Sequence, residues 1–193
     1  MSSISVVTGP TIEPVTLQQA KDFLRVTFSD DDDFIASLIQ GARELLEIQT
    51  QRSLITRTLK LTADAFPNAR VILLPKPPLQ SISSVKYIAD GDTSLTTLST
   101  AYYSTDTAST PGRLILNDGY SWPITETNGN AVEITYVAGY GAAVSLLPFN
   151  LQQAVLLYVS HFYQNRSVVN PVQLTMVPRA IDALAFPYKV HCA

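Results

Sequence analysis

The chain has 193 residues and is poor in charge, since only 15% of them are Asp, Glu, Lys or Arg while 46% are hydrophobic. Its net charge of −3 provides no basic field for duplex DNA. Its apolar runs are shorter than the roughly 20 residues that cross a bilayer, and its first ten residues carry no secretory signal. With one cysteine, the composition predicts a soluble folded protein of a reducing compartment.

Charge is unevenly distributed along the chain. Residues 1–52 hold eight acids and four bases, whereas residues 145–193 hold one acid and three bases. Opposite charge at the two ends favours contacts within a subunit, or head-to-tail contacts between neighbouring subunits.

The first 52 residues predict two helices. Thr16 followed by Gln19 is a capping-box pattern at the start of the first helix. The second helix is predicted over 31–51, because apolar residues recur there at spacings of three and four. These residues are Phe34, Ile35, Leu38, Ile39, Ala42, Leu45 and Leu46.

Residues 54–140 have the pattern of short strands. Alternating or β-branched segments occur between turn residues, with Asp90-Gly91 as a hairpin signal. The segments are 54–62, 71–74, 85–88, 114–116 and 132–137. About six short strands at this spacing predict a small antiparallel barrel or sandwich.

Helical periodicity returns over 148–164, and a second short helix is predicted from about Pro178 to before Pro187. The tail 188–193 alternates apolar and polar residues like a free strand. The prediction is therefore an α+β fold. A helical core with two N-terminal and two C-terminal helices is predicted from residues 1–53 and 145–193. An inserted β domain is predicted from residues 54–144.

The acidic run Asp30, Asp31, Asp32 and Asp33 has two interpretations. Its carboxylates could bind a divalent cation, but the run lacks the ligand spacing and glycine of a calcium loop. Acids at a helix start also complement the helix dipole and cap free N–H groups, and this interpretation is favoured.

Catalytic and metal-binding patterns are weak. His161 and His191 are 30 residues apart, and Cys192 has no partner histidine in view, so neither a zinc site nor a thiol nucleophile is expected. Gly139-Tyr140-Gly141 lacks the further glycines or lysine of a phosphate loop and is better explained as a strand exit. No enzymatic activity, cofactor or metal is expected, and a metal-dependent enzyme is the least favoured class.

Four aromatic residues of the β region could mark a binding face: Tyr102, Tyr103, Tyr120 and Trp122. Aromatic faces stack on sugars and single-stranded bases, but a small β domain also needs such residues to fill its core. Core packing is favoured. A carbohydrate- or ligand-binding module that uses the β insertion remains the alternative function.

Several segments, taken in order, carry a family resemblance. They are 13–26, the acidic run with the helix to Thr50, 51–58, 74–82, 111–114, 138–141 and 161–166. Together they resemble the head–tail connector (adaptor) proteins of long-tailed double-stranded DNA phages and gene transfer particles. The resemblance implies a virion neck protein, made in the host cytoplasm, without catalytic residues and without a membrane segment.

The resemblance also implies partners. Members form a ring, typically of twelve subunits, below the portal protein. The ring extends the DNA channel, contacts the DNA without sequence specificity, and docks a stopper or tail-completion protein.

Three sets of residues are assigned to these contacts as hypotheses. The tail residues Tyr188, Lys189, Val190, His191 and Cys192 are predicted to add a strand to the portal by β-augmentation. The acids Asp30 to Asp33 are predicted to face the channel, where negative charge repels phosphate. The residues predicted to pack subunits together are Leu38, Leu45, Leu151, Val155, Tyr158 and Phe162.

Overall fold

The computed structural model describes residues 2–127, 129–165 and 176–190, and within these ranges the fold is α+β, as predicted. The four helices are α1 (Leu17–Leu24), α2 (Asp32–Thr50), α3 (Phe149–Gln164) and α4 (Met176–Ala185). The eight strands are β1 (Ser2–Thr8), β2 (Arg57–Ala63), β3 (Val71–Leu74), β4 (Leu79–Ile88), β5 (Leu95–Thr97), β6 (Tyr103–Asp106), β7 (Gly112–Leu116) and β8 (Val132–Ala138).

The strands form two open antiparallel sheets. One sheet has the order β1-β2-β8-β4-β5 and the other has the order β3-β7-β6. A barrel would require the two outer strands of a sheet to pair with each other, whereas β1 pairs with β2 and β5 pairs with β4. Of the two predicted alternatives, a small barrel or a sandwich, the barrel is therefore wrong.

One apolar cluster joins the two sheets. It contains Leu59 and Ile134 from the larger sheet together with Leu74 and Leu114 from the smaller one. Tyr136 of β8 is fully buried in this cluster, and its hydroxyl donates to the Pro75 carbonyl at 2.8 Å. Burial also raises the pKa of the Tyr136 phenol, so the neutral donor persists well above neutral pH.

The first strand was not predicted. In β1, Ile4 lies opposite Leu61 and Val6 lies opposite Leu59, and every residue of β1 is exposed. The chain passes between its two compact units between residues 9 and 10, 55 and 56, and 139 and 140. The predicted helical core over 1–53 is therefore corrected, because residues 2–9 belong with the sheets.

The helical unit is organised around α2. The predicted helix 31–51 agrees with α2 to within one residue at each end. One side of α2, formed by Ile35, Ile39, Ala42 and Leu46, is buried in a cluster that also contains α3. Among the described residues, no helix combines the length and apolarity needed to span a bilayer.

Two glycines give substitutions of opposite sign. A Cβ at Gly112 would overlap Leu79 Cβ, so we expect Gly112→Ala to destabilise the protein by about 1–3 kcal/mol through overpacking. A Cβ at Gly41, inside α2, meets nothing within 4 Å. Gly41→Ala should therefore stabilise by about 1 kcal/mol through helix propensity. Urea unfolding measures the free energy of unfolding of both variants. An equal change in this free energy for the two variants would contradict the packing described for Gly112.

Candidate assembly surfaces

Arg43 of α2 is the centre of a buried ion network. Its side chain is 6% exposed; Nε donates to Glu13 Oε2 at 2.8 Å and Nη1 donates to Glu47 Oε2 at 3.3 Å. Glu47 also accepts the backbone N–H of Leu54 at 2.9 Å through Oε1. Burial lowers the pKa of Arg43, but the hydrogen bond and charge of Glu13, with the charge of Glu47, outweigh burial and raise it overall. The guanidinium therefore stays charged.

The acidic run divides into two pairs. Asp31 is the N-cap residue of α2, but its side chain makes no capping hydrogen bond and instead accepts from the Tyr163 hydroxyl at 2.5 Å. Asp32 pairs with Lys21 at 2.6 Å. Asp30 and Asp33 are exposed. The favoured interpretation as capping side chains is thus corrected for Asp31, whereas Asp32 and Asp33 do lie in the first turn, where acids complement the helix dipole.

The described part of the tail lies against the C-terminal end of α2. Tyr188 ends a short 3₁₀ turn, Phe186–Tyr188, and its carbonyl accepts from Arg52 Nε. The Val190 N–H donates to the Thr50 carbonyl at 3.0 Å, and Lys189 Nζ lies 3.4 Å from Asp182 Oδ1. The prediction of a free strand from Tyr188 is therefore wrong at its start, because these residues are bound to their own chain. His191 and Cys192 lie outside the described residues.

The six predicted packing residues fall into two groups. Leu151 and Val155 are fully buried within the helical unit, so they pack inside the subunit and offer no surface to a neighbour. Tyr158, Phe162 and Leu38 are partly buried, and Leu45 is exposed.

Sequence reasoning missed two residues beside Leu45 on α2. Ile48 is exposed, and Gly41 has open space where a side chain would be. The available signal was a second apolar set at spacings of three and four on the same helix.

The aromatic residues of the β unit mostly contact each other. The Trp122 ring stacks on Phe66 with centroids 4.8 Å apart, and its Nε1 donates to the Ala69 carbonyl at 2.9 Å. Tyr102 packs against Tyr120 at 4.5 Å, and Tyr103 joins the apolar cluster. An open cavity of about 450 Å³ runs beside Phe66, Tyr120 and Trp122. The ring faces that a sugar would need are thus partly occupied by neighbouring side chains.

The remaining candidates have structural explanations. Gly139 follows the last residue of β8 with φ of 128°, and its N–H donates to the Pro78 carbonyl at 2.9 Å, which makes it a strand exit. His161 contacts Asn165 and Phe162 on α3. Within the part of the chain that the structure describes, no three His, Cys, Asp or Glu side chains converge as metal ligands.

The architecture matches chains from solved structures of gene transfer agent (GTA) particles. A chain from the neck of an empty GTA particle, computed with C6 symmetry, is 24% identical with a TM-score of 0.82, over 99% of this chain and 97% of that one. A chain from the virion of the native particle is 23% identical with a TM-score of 0.81, over 98% and 96%. A chain from the native neck, computed with C12 symmetry, is 23% identical with a TM-score of 0.79, over 99% and 97%. The fold is therefore that of GTA particle chains.

The sequence comparison is more specific. The family model for head completion protein matches residues 13–174, and the chain belongs to that family. It is a structural protein of the head–tail assembly, not an enzyme, in agreement with the connector resemblance. Among curated proteins no relative matches the chain.

The ion network provides a test of the helical unit. Arg43→Met should lower the free energy of unfolding by about 3–5 kcal/mol, because Glu47 is left buried without its cation. The matched control is Arg25→Met at an exposed position, which should change stability by less than about 0.5 kcal/mol. Chemical denaturation measures both values. Equal stability of the two variants would show that the ion network makes no net contribution to the free energy of unfolding.

Proposed function

We propose that the chain forms a ring of twelve copies below the portal of a DNA-filled head, in the neck of the virion. The observation that carries this proposal is the match over nearly the whole chain to a GTA neck chain whose structure was computed with C12 symmetry. Membership of the head completion protein family supports the same role. In this position the ring joins the head to a stopper or tail-completion protein and extends the DNA channel.

The distribution of charge along the chain supports a ring. Identical copies close into a ring through heterologous contacts, in which two different faces of the chain meet. Residues 1–52 carry a net charge of −4 and residues 145–193 carry +2, so the two terminal segments of neighbouring copies attract each other. The subunit is made in the host cytoplasm and assembles on the portal there.

The tail is the proposed contact with the portal. The bonds from Arg52 to Tyr188 and from Val190 to Thr50 hold the described part of the tail at the end of α2. Tyr188, Lys189 and Val190 form the anchored base of this contact. His191 and Cys192 follow it, and we propose that this end adds a strand to the portal by β-augmentation, which uses main-chain hydrogen bonds.

Native mass spectrometry of the full chain mixed with portal tests the ring and the tail together. We expect twelve copies of the chain on each portal ring. A truncation after Val190 should lose portal binding while its thermal unfolding stays unchanged, because the bonds to Thr50 and Arg52 are kept.

The control keeps the length of the tail. The double variant His191→Ser with Cys192→Ser retains the main chain, so it should retain most of the binding. Undiminished binding by the truncated chain would reject the tail contact. A wild-type chain that stays monomeric with portal present would reject the ring.

Asp30 and Asp33 are the acids proposed to face the channel. Both are exposed, whereas Asp31 and Asp32 are engaged by Tyr163 and Lys21. A ring repeats the exposed pair in every copy. The resulting negative lining repels phosphates, so that DNA slides through the ring without adhering to it.

Reversing this charge should slow DNA release from particles. Asp30→Lys with Asp33→Lys should reduce the release rate several-fold at low salt. The reduction should shrink on going to 0.15 M salt, because the Debye length falls from about 30 Å at 0.01 M to about 8 Å.

The control reverses an equal charge in the β unit, at exposed Asp90 and Asp92, and should release DNA at the wild-type rate. Unchanged release by the Asp30 and Asp33 variant at low salt would place these acids away from the channel.

A further inference from the structure

Helix α2 carries two separate apolar stripes. The first, Ile35, Ile39, Ala42 and Leu46, is buried within the helical unit. The second stripe, the outer seam, consists of Leu38, Gly41, Leu45 and Ile48. Leu38 is partly buried against the subunit's own apolar cluster, whereas Leu45 is 43% exposed and Ile48 is 64% exposed. Leu45 and Ile48 are one turn apart, so their exposed side chains lie side by side on the surface of α2.

The spacing of the outer seam is that of a helix-packing surface. Its residues follow each other at intervals of three, four and three, which is the a/d spacing of a heptad. At 100° per residue, the outer seam is centred roughly 110° around the helix from the buried stripe. The seam is therefore a second contact face of α2, with the geometry that fits another helix.

Gly41 is in the middle of this seam. Glycine is among the least favourable residues for a helix interior. A Cβ at Gly41 would meet no atom within 4 Å, so packing inside the subunit gives no reason for a glycine there. A missing side chain does allow another backbone to approach α2 closely from outside.

We propose that a helix from the C-terminal half of a second copy packs on the outer seam, with Gly41 at the point of closest approach. This inference rests on the ring proposed above. The matched neck structures were computed with C6 and C12 symmetry, and a cyclic contact brings two different faces of one chain together. Glu44, 54% exposed and 3.6 Å from the Arg43 guanidinium, flanks the seam in the N-terminal segment of net charge −4, whereas residues 145–193 carry a net charge of +2. Charge complementarity therefore selects the C-terminal half of the neighbour.

Filling the gap at Gly41 tests the seam without damaging the subunit. Gly41→Leu should unfold at or above the wild-type temperature, because a Cβ at this position meets no neighbouring atom and Leu favours helix more than Gly does. The same variant should lower the ring population on portal at least tenfold in native mass spectrometry. Gly41→Ala should raise the unfolding temperature at least as much, because Ala has the highest helix propensity, and should reduce assembly by a smaller amount. If Gly41 acted only within its own subunit, replacing it would not raise stability and reduce assembly together.

The matched control adds the same side chain one residue away. Gln40 is exposed on a different side of α2, where it bonds Glu44 at 3.0 Å. Gln40→Leu should assemble as the wild type does.

Photo-crosslinking identifies what covers the seam. A benzophenone amino acid in place of Ile48 should crosslink one copy to residues 145–193 of another within assembled rings. Crosslinks only to the portal or to the stopper would overturn the inference, as would rings of Gly41→Leu at the wild-type level. In both cases the proposed ring would stand. If the wild-type chain forms no ring on portal, the proposed function fails and the seam contact fails with it.

Discussion

The helical unit depends on the burial of one cation. Arg43 lies inside α2, and its position is acceptable only because carboxylates from Glu13 and Glu47 surround it. Glu13 precedes α1, and Glu47 also holds the backbone of Leu54 beyond the end of α2. One guanidinium therefore fixes the segments that enter and leave the two N-terminal helices. This ion network lies on one flank of α2. The opposite flank is apolar, and its side chains Leu45 and Ile48 are exposed.

Periodicity predicted the elements whose residues are buried on one side. Strand β8 alternates buried and partly buried residues along its whole length, and α2 has a continuous buried stripe, so both were found almost to the residue. Strands β1 and β5 are exposed throughout and carry no such signal. Strand β1 is held by β2, through partners 50 or more residues away, whereas β5 pairs with β4 across a hairpin. The open sheets, too, depend on pairings between distant residues, which local patterns do not encode.

The surfaces were harder to predict than the elements. Helical spacing selected Leu45 and Leu151 alike, yet Leu45 is exposed and Leu151 is buried, because spacing does not distinguish a subunit's own core from a face for a neighbour. The four acids of the run look equivalent in sequence. Their separation into engaged and exposed pairs depends on Tyr163 and Lys21, which reach them from elsewhere in the fold.

The attachment of Val190 to Thr50 has a consequence for the strength of the proposed contact between the ring and the portal. Since Val190 is bound to the C-terminal end of the helix that carries the outer seam, the proposed ring would present its tails as an array of fixed pitch. Each tail adds only a few residues to a contact, and so binds weakly alone. Once one tail is bound, the others are held at a high effective concentration, and the avidity of the array far exceeds the affinity of one tail. Under the proposed tail contact, a free subunit would dissociate readily and a complete ring would stay attached.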